Sequence, residues 1–348
     1  MRAAVMHGNE LVVEEFALPP LHDGGVRVKT KACGICGSDL HYLQHAHKMK
    51  AIGEEVSAHN PPSPITLVPT DLGKGIVMGH EFCGEVTELA PGSDHLKVGD
   101  LVVSMPIAID SAGAHTVGYS NLYPGGYGEE MILSGMLCMK VPNGLSYQHA
   151  ALTEPMAVGV HAVNKSKIVK GESAVVIGCG PVGLACIAAL KAKGISPIIA
   201  ADFSPARRAL AAVMGADVVT DPREETGIQA WYAVDGRSTV VQFEAVGVAG
   251  MIDRTMLTAP KDSRILIVGV CMETDVLRPL IGISKELTIQ FALAYDPIEF
   301  GGALRSIAEG EFNVEPLITG TVDIDGVPQA FRDLADPERH AKILVCPA

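Results

Sequence analysis

Apolar and polar positions follow two different rhythms along this chain. Residues 1 to about 150 carry short alternations broken by turns, as in Gly24-Gly25-Val26-Arg27-Val28-Lys29 and Val98-Gly99-Asp100-Leu101-Val102-Val103. Alternation with a period of two turns one face of a strand toward a core, so this part reads as an irregular, strand-rich domain. Within it, residues 45–71 are polar and rich in proline, including Pro61-Pro62-Ser63-Pro64. That composition predicts an excursion over the surface, either shaping a substrate entrance or serving as a tolerated insertion. From Ser173 onward, apolar bursts alternate with alanine-rich segments, the rhythm of a parallel sheet covered by helices. Strands are predicted at 174–177, 198–201, 218–219, 240–243, 264–268, 287–291 and 342–345. Helices are predicted at 182–193, 205–214, 252–257 and 298–307, the second opening on Pro205, whose missing amide proton costs nothing in a first turn. The fold class is therefore α/β.

Length changes this picture by suggesting two cores: 348 residues is about twice a typical domain. With 48% hydrophobic residues, 37 glycines and 19% charged residues, the chain suits a packed enzyme rather than a disordered or coiled-coil protein. Its formal charge of −13 disfavours nonspecific binding to nucleic acid or anionic membrane. The N-terminal residues lack a secretory pattern, and the most apolar stretch, 174–201, is interrupted by Gly178, Gly180, Pro181, Gly183, Lys191, Lys193 and Pro197. Eight cysteines over this length are not a small disulfide scaffold. A soluble cytoplasmic protein with reduced thiols is expected.

Gly178-Cys179-Gly180-Pro181-Val182-Gly183 follows an apolar strand and opens a helix, the context in which three glycines at this spacing bind a dinucleotide. The first permits the tight turn, the second lets a pyrophosphate approach the backbone, and the third lets helix and strand pack closely. The helix N-terminus, at Pro181 and Val182, faces the phosphates. Asp202 ends the next apolar burst, 19 residues after Gly183, where a carboxylate can accept hydrogen bonds from an adenosine ribose. This predicts NAD. A 2′-phosphate would meet an opposing charge there unless nearby Arg207 or Arg208 compensated.

Cys33-Gly34-Ile35-Cys36 has the spacing of a zinc knuckle, but no second such pair exists. His80 and Glu81 stand together after a glycine, and Glu154 precedes Pro155. One thiolate, one imidazole and one carboxylate would leave a zinc position open for substrate, as catalytic sites require.

The segments CGICGSDLH at 33–41, GHEFCGEV at 79–86, GGYGEEM at 125–131, EPMAVGVHAV at 154–163 and VIGCGPVGL at 176–184 resemble, in order, those of the zinc-containing medium-chain dehydrogenase/reductase family. The resemblance spans nearly the whole chain. It implies a partly open, barrel-like (GroES-like) catalytic domain at 1–155, a Rossmann domain at 156–293 and a C-terminal return to the catalytic domain at 294–348. It also implies zinc ligands at Cys36, His80 and, as in polyol-dehydrogenase-like members, Glu154. Cys33 and Cys138 are not expected to bind metal. Glu81 is similar to the acidic neighbour that approaches the metal during ligand exchange. Ser38 and His41 resemble the inner and outer ends of a proton relay. Family members often hold a second zinc on four cysteines after the GDxV segment, but here Gly99-Asp100-Leu101-Val102 is followed by no cysteine until Cys138, so no structural zinc is expected.

The activity implied is reversible hydride transfer between NAD and an alcohol or carbonyl substrate, a secondary alcohol or diol, in a homodimer or homotetramer. The late apolar segment Leu287-Thr288-Ile289-Gln290-Phe291 supplies a candidate edge strand for pairing. Alternatives are a polyol or amino-alcohol dehydrogenase, a zinc-free quinone or enone reductase sharing the two-domain frame, and a non-enzymatic nucleotide-binding protein.

Overall fold

The computed structural model describes residues 1–60, 67–142 and 144–347. They form two compact units. The first contains Met1–Glu154, Ile318–Ala335 and the residues from Lys342 on, and the second contains Pro155–Leu317 with Asp336–Ala341.

In the first unit, the ten-residue strand Gly25–Gly34 organises a seven-stranded sheet. It pairs antiparallel with Glu81–Leu89, Glu130–Ser134 and Lys342–Val345. Its register against Glu81–Leu89 shifts between Arg27 and Val28 and again between Thr30 and Ala32, and such bulges bend and twist a long strand. Val26, Val28, Phe82, Val86, Met131 and Leu133 fill the core beneath it. A three-stranded sheet runs in the order Glu10–Glu15, Arg2–His7, Ile76–Val77.

The region expected to be an irregular excursion is different. A helix covers Gly37–His59, broken only by non-helical backbone at His45 (φ −132°, ψ 21°), and almost every residue from His47 to Asn60 is exposed. The helix formers Lys48, Met49, Lys50, Ala51, Glu54, Glu55 and Ala58 outweigh the polarity that suggested a loop. The prolines mark where a helix stops rather than where none forms. Pro61-Pro62-Ser63-Pro64 lie outside the described residues.

The second unit carries six parallel strands in the spatial order Val218–Thr220, Ile198–Ala201, Ser173–Ile177, Val240–Glu244, Arg264–Ile267, Thr288–Phe291. In chain order this is 3-2-1-4-5-6, the doubly wound arrangement whose topological switch lies beside the first strand. Alanines let the helix Pro181–Ala192 pack closely, so most of its residues are buried. The helix Pro205–Met214 starts where Ser204 Oγ accepts the Arg207 amide, and it ends at the left-handed Gly215.

The chain re-enters the first unit at Ile318 rather than at the expected 294. The helix Pro297–Ala308 buries Phe300, Ala303, Leu304 and Ile307 in the second unit. There Glu299 pairs with His161 Nδ1 at 2.7 Å and accepts Asn164 Nδ2 at 3.0 Å. No helix of the described residues is long and apolar enough to cross a membrane.

Candidate functional site

The first unit gathers chemistry where two neighbouring strands end. Gly34 closes one strand opposite Glu81, which opens the next. The chain then turns through Ile35, and Cys36 caps the helix Gly37–His59, its amide donating to Asp39 Oδ2 at 3.1 Å. His80 immediately precedes the second strand. The ligand atoms of Cys36, His80 and Glu81 thereby lie within 4.8 Å of one another. Gly34 allows the approach, since a Cβ there would sit 2.0 Å from Glu81 Oε2.

Asp39 organises this cluster from beneath. It is fully buried and accepts hydrogen bonds from Tyr127 Oη at 2.6 Å and Tyr119 Oη at 2.7 Å. His80 Nδ1 stands 3.3 Å from Asp39 Oδ1, an ion-pair distance without hydrogen-bond alignment. Burial alone would raise the Asp39 carboxyl, but the His80 ring and the two phenols outweigh it and hold it below its ordinary value. Burial likewise opposes the charged form of His80, yet Asp39 and then Cys36 push that imidazole well above its usual range. Ser38 Oγ lies 3.5 Å from His80 Nε2 and 3.2 Å from Tyr119 Oη. His41 follows on the same helix, half-buried. Burial and the neighbouring His45 lower its pKa, and no hydrogen bond joins it to Ser38.

Glu81 is not a free carboxylate. Lys342 Nζ contacts both of its oxygens at 2.7 Å and also donates to the Ile35 carbonyl at 3.1 Å. The lysine side chain is only 2% exposed. Burial would lower its pKa, but Glu81, Cys36 and Glu154 together raise it, which places Glu154 within electrostatic reach of the cluster. Glu154 itself is buried in the first turn of the helix Thr153–Lys165. Cys33 is buried behind the cluster, and burial followed by the Asp39 and Glu81 charges raises its thiol well above the ordinary value. Cys138 is pushed up to about 12, also by burial.

Sequence reasoning missed Asp39, Tyr119, Tyr127 and Lys342. Asp39 left a local trace, an acid at the third position of a helix that starts at Cys36. Tyr127 lies within the GGYGEEM segment but was not singled out there, and Tyr119 and Lys342 left no trace.

The second unit holds its own site. The strand Ser173–Ile177 turns at Gly178 into the helix Pro181–Ala192, with Gly180 as the cap, Pro181 first and Val182 second. Gly183 packs so tightly under the turn that a Cβ would lie 1.9 Å from the Gly178 carbonyl. Asp202 follows the strand Ile198–Ala201, and its carboxylate accepts the amides of Cys179 at 2.7 Å and Ser204 at 2.8 Å. These bonds fix the acid beside a cavity of about 490 Å³ that Gly178, Gly180, Phe203 and Arg207 also line. Arg208 does not line it: its guanidinium is committed to the Asp202 and Phe203 carbonyls and to Asp221. Arg223 pairs with Asp221 and stands over the Phe203 ring at 5.5 Å, a wall the sequence did not announce.

Comparison with known proteins places both parts of the chain in one family. Residues 22–143 match the alcohol dehydrogenase GroES-like domain and residues 181–309 match the zinc-binding dehydrogenase domain. The chain is 34% identical to (R,R)-butanediol dehydrogenase of Bacillus subtilis (strain 168) over 100% of both proteins. It is 29% identical to sorbitol dehydrogenase of the same organism, over 93% of this chain and 87% of that protein. The crystal structure of 2R,3R-butanediol dehydrogenase from Bacillus subtilis superposes with a TM-score of 0.83 at 32% identity, covering 100% of this chain and 99% of that one. The parallel sheet with its glycine-rich turn, the barrel-like first unit and the Cys36–His80 cluster thus have one common explanation: this chain belongs to the zinc-binding dehydrogenase family.

Proposed function

We propose that this protein is an NAD-dependent alcohol dehydrogenase that interconverts a secondary alcohol or diol and the corresponding carbonyl compound, with one catalytic zinc on Cys36, His80 and Glu154. The convergence of Cys36 and His80 beside the buried Glu81 carries this reading, with Glu154 outside that close group. The donor set fits zinc: a thiolate, an imidazole and a carboxylate oxygen suit a catalytic centre that keeps one position open. Asp39 orients the far nitrogen of His80, as partners of metal-binding imidazoles commonly do. Glu154 is preferred over Glu81 as the third ligand because both Glu81 oxygens face the Lys342 ammonium.

When bound, zinc lends Lewis acidity to the substrate oxygen and NAD supplies the hydride acceptor. The chain's own groups do the rest. Ser38 Oγ would take the proton of the alcohol as it gives up its own hydroxyl proton outward in the direction of His41, and Tyr119 Oη, held by Asp39, fixes the orientation of that hydroxyl. His41, one helical turn further on, is the outward proton acceptor; burial and His45 lower its pKa, so the ring is neutral but holds the proton only weakly and passes it on to solvent. The test is to incubate the zinc-loaded protein with NAD and a panel of secondary alcohols, diols, polyols and aromatic alcohols, following NADH and identifying products. Absence of turnover across the panel would defeat the reading. The likeness to sorbitol dehydrogenase favours a second reading, oxidation of longer polyols, which the same panel separates by kcat/KM.

Asp202 is proposed to select NAD by binding the ribose hydroxyls and repelling a 2′-phosphate. Arg207 lines the same cavity as a candidate counter-charge. Asp202→Ala is expected to cut the NAD-over-NADP ratio of kcat/KM by about 100-fold, the size of two lost charge-assisted hydrogen bonds. A wild-type preference for NADP contradicts the assignment.

A homodimer or homotetramer is proposed through the edge strand Thr288–Phe291, where Phe291 is 62% exposed and Leu293 beyond it 84%. Phe291→Glu should shift the protein to monomers in sedimentation at micromolar concentration, and a wild-type monomer there rules the assembly out. A cytoplasmic setting is supported by the eight cysteines, all of them unpaired.

A further inference from the structure

The cavity beside the glycine-rich turn does not end at Asp202. Its lining also takes in Ile228 of the helix Gly227–Val234, Met251 and Thr258 of the helix Met251–Thr258, and Val175 of the strand Ser173–Ile177. Gln242 and Thr255 line it too. Gln242 stands opposite Val175 and Ile265 in the sheet, two residues before the end of the strand Val240–Glu244. It is 0% exposed, yet neither its Oε1 nor its Nε2 has a hydrogen-bond partner among the described residues. Thr255 Oγ1, equally buried, has none either.

A buried amide with both ends unpaired is unfavourable, and an apolar side chain of the same length would fill this strand position at lower cost. Gln242 lines this apolar slot with neither amide atom open to solvent, so a turn of its side chain toward the slot is what brings this donor and acceptor to a flat ligand that offers the complementary pair. The slot opens from the place where Asp202 would hold the adenosine ribose, so the adenine ring is the part of the dinucleotide within reach.

We propose that Gln242 reads the adenine base of the bound dinucleotide. Oε1 accepts from the exocyclic amino group and Nε2 donates to N7, the two-point pairing that a side-chain amide makes with adenine. Ile228 and Met251 cover the ring faces, with Thr255 as a further polar neighbour in the same lining. A hypoxanthine base presents two acceptors on that edge, which no orientation of one amide can satisfy. The protein is therefore selective for adenine dinucleotides over their deaminated counterparts.

This proposal rests on the reading of the cavity as the NAD site, and the test separates the two. Titration calorimetry measures the affinity of the wild-type protein and of Gln242→Met for NAD and for nicotinamide hypoxanthine dinucleotide. The wild type should bind NAD about tenfold or more tightly than the deaminated form, as one two-point contact implies. Gln242→Met should bring the two affinities within about twofold, mainly by weakening NAD. Equal wild-type affinities for both dinucleotides overturn base reading and leave the cofactor assignment standing, whereas no binding of either overturns both. An unchanged preference in Gln242→Met also overturns it. The wild-type ratio needs no variant, so the proposal remains falsifiable even if the substitution disturbs folding.

Discussion

Alanine at Cys36 or His80 is expected to remove zinc and to lower kcat/KM for alcohol oxidation by about 10³-fold or more, since the Lewis acid is worth several kcal/mol of transition-state stabilisation. Each substitution deletes a ligand from a cluster whose remaining donors are one protein atom short of a stable open site. Glu154→Ala should lose activity more severely than metal, because water or Glu81 can take the vacated position once the Lys342 contact yields. Cys33→Ala should keep the metal: that thiol is buried and its pKa is raised, so it packs behind the site as a neutral group. Metal content and NADH formation are measured on variants whose circular dichroism matches wild type. Full zinc occupancy and turnover in Cys36→Ala would falsify the site.

The second large effect concerns stability. Lys342→Met is expected to destabilise the protein by about 3–5 kcal/mol, because it leaves the Glu81 carboxylate buried without its cation. The ion pair is not itself the source of that figure. Adding Glu81→Gln to Lys342→Met neutralises the stranded charge and should recover a substantial part of the loss, which two independent contacts would not do. Burial alone would lower the lysine, but the Glu81 charge, with Cys36 and Glu154, outweighs it and raises the lysine above its ordinary value. The contribution is therefore complete below the unfolded lysine pKa of about 10.4 and is lost only as the pH rises through the higher folded value. Denaturant melts of the three proteins at pH 7 check the prediction. A loss below about 1 kcal/mol in Lys342→Met would show that the carboxylate finds other solvation.

The sites were unevenly legible. The glycine-rich turn and Asp202 could be read because strand, turn and helix are consecutive in the chain, and Gly183 is demanded by a contact with Gly178 only five residues before it. The metal-ligand candidates were legible as chemistry, but single cysteines, histidines and acids are common, and ordered family segments singled them out. Asp39 was half-visible as a helix-capping acid. Tyr119 lies 80 residues from Asp39 and Lys342 lies 261 from Glu81, and neither pairing leaves a periodic signal.

The sequence by itself determined the α/β class, the order of the parallel strands along the chain and the residue types available to hold a metal and a dinucleotide. These follow from interactions with periods of two to four residues, which any short window contains. The tertiary structure alone decided that residues 47–59 extend a helix, that the chain re-enters the first unit at Ile318, and that Glu81 is answered by Lys342 while Gln242 is left unanswered. Those outcomes depend on which strands pair and which helices leave a slot between them. Such pairing is set by burial summed over the whole fold, and no local pattern records it.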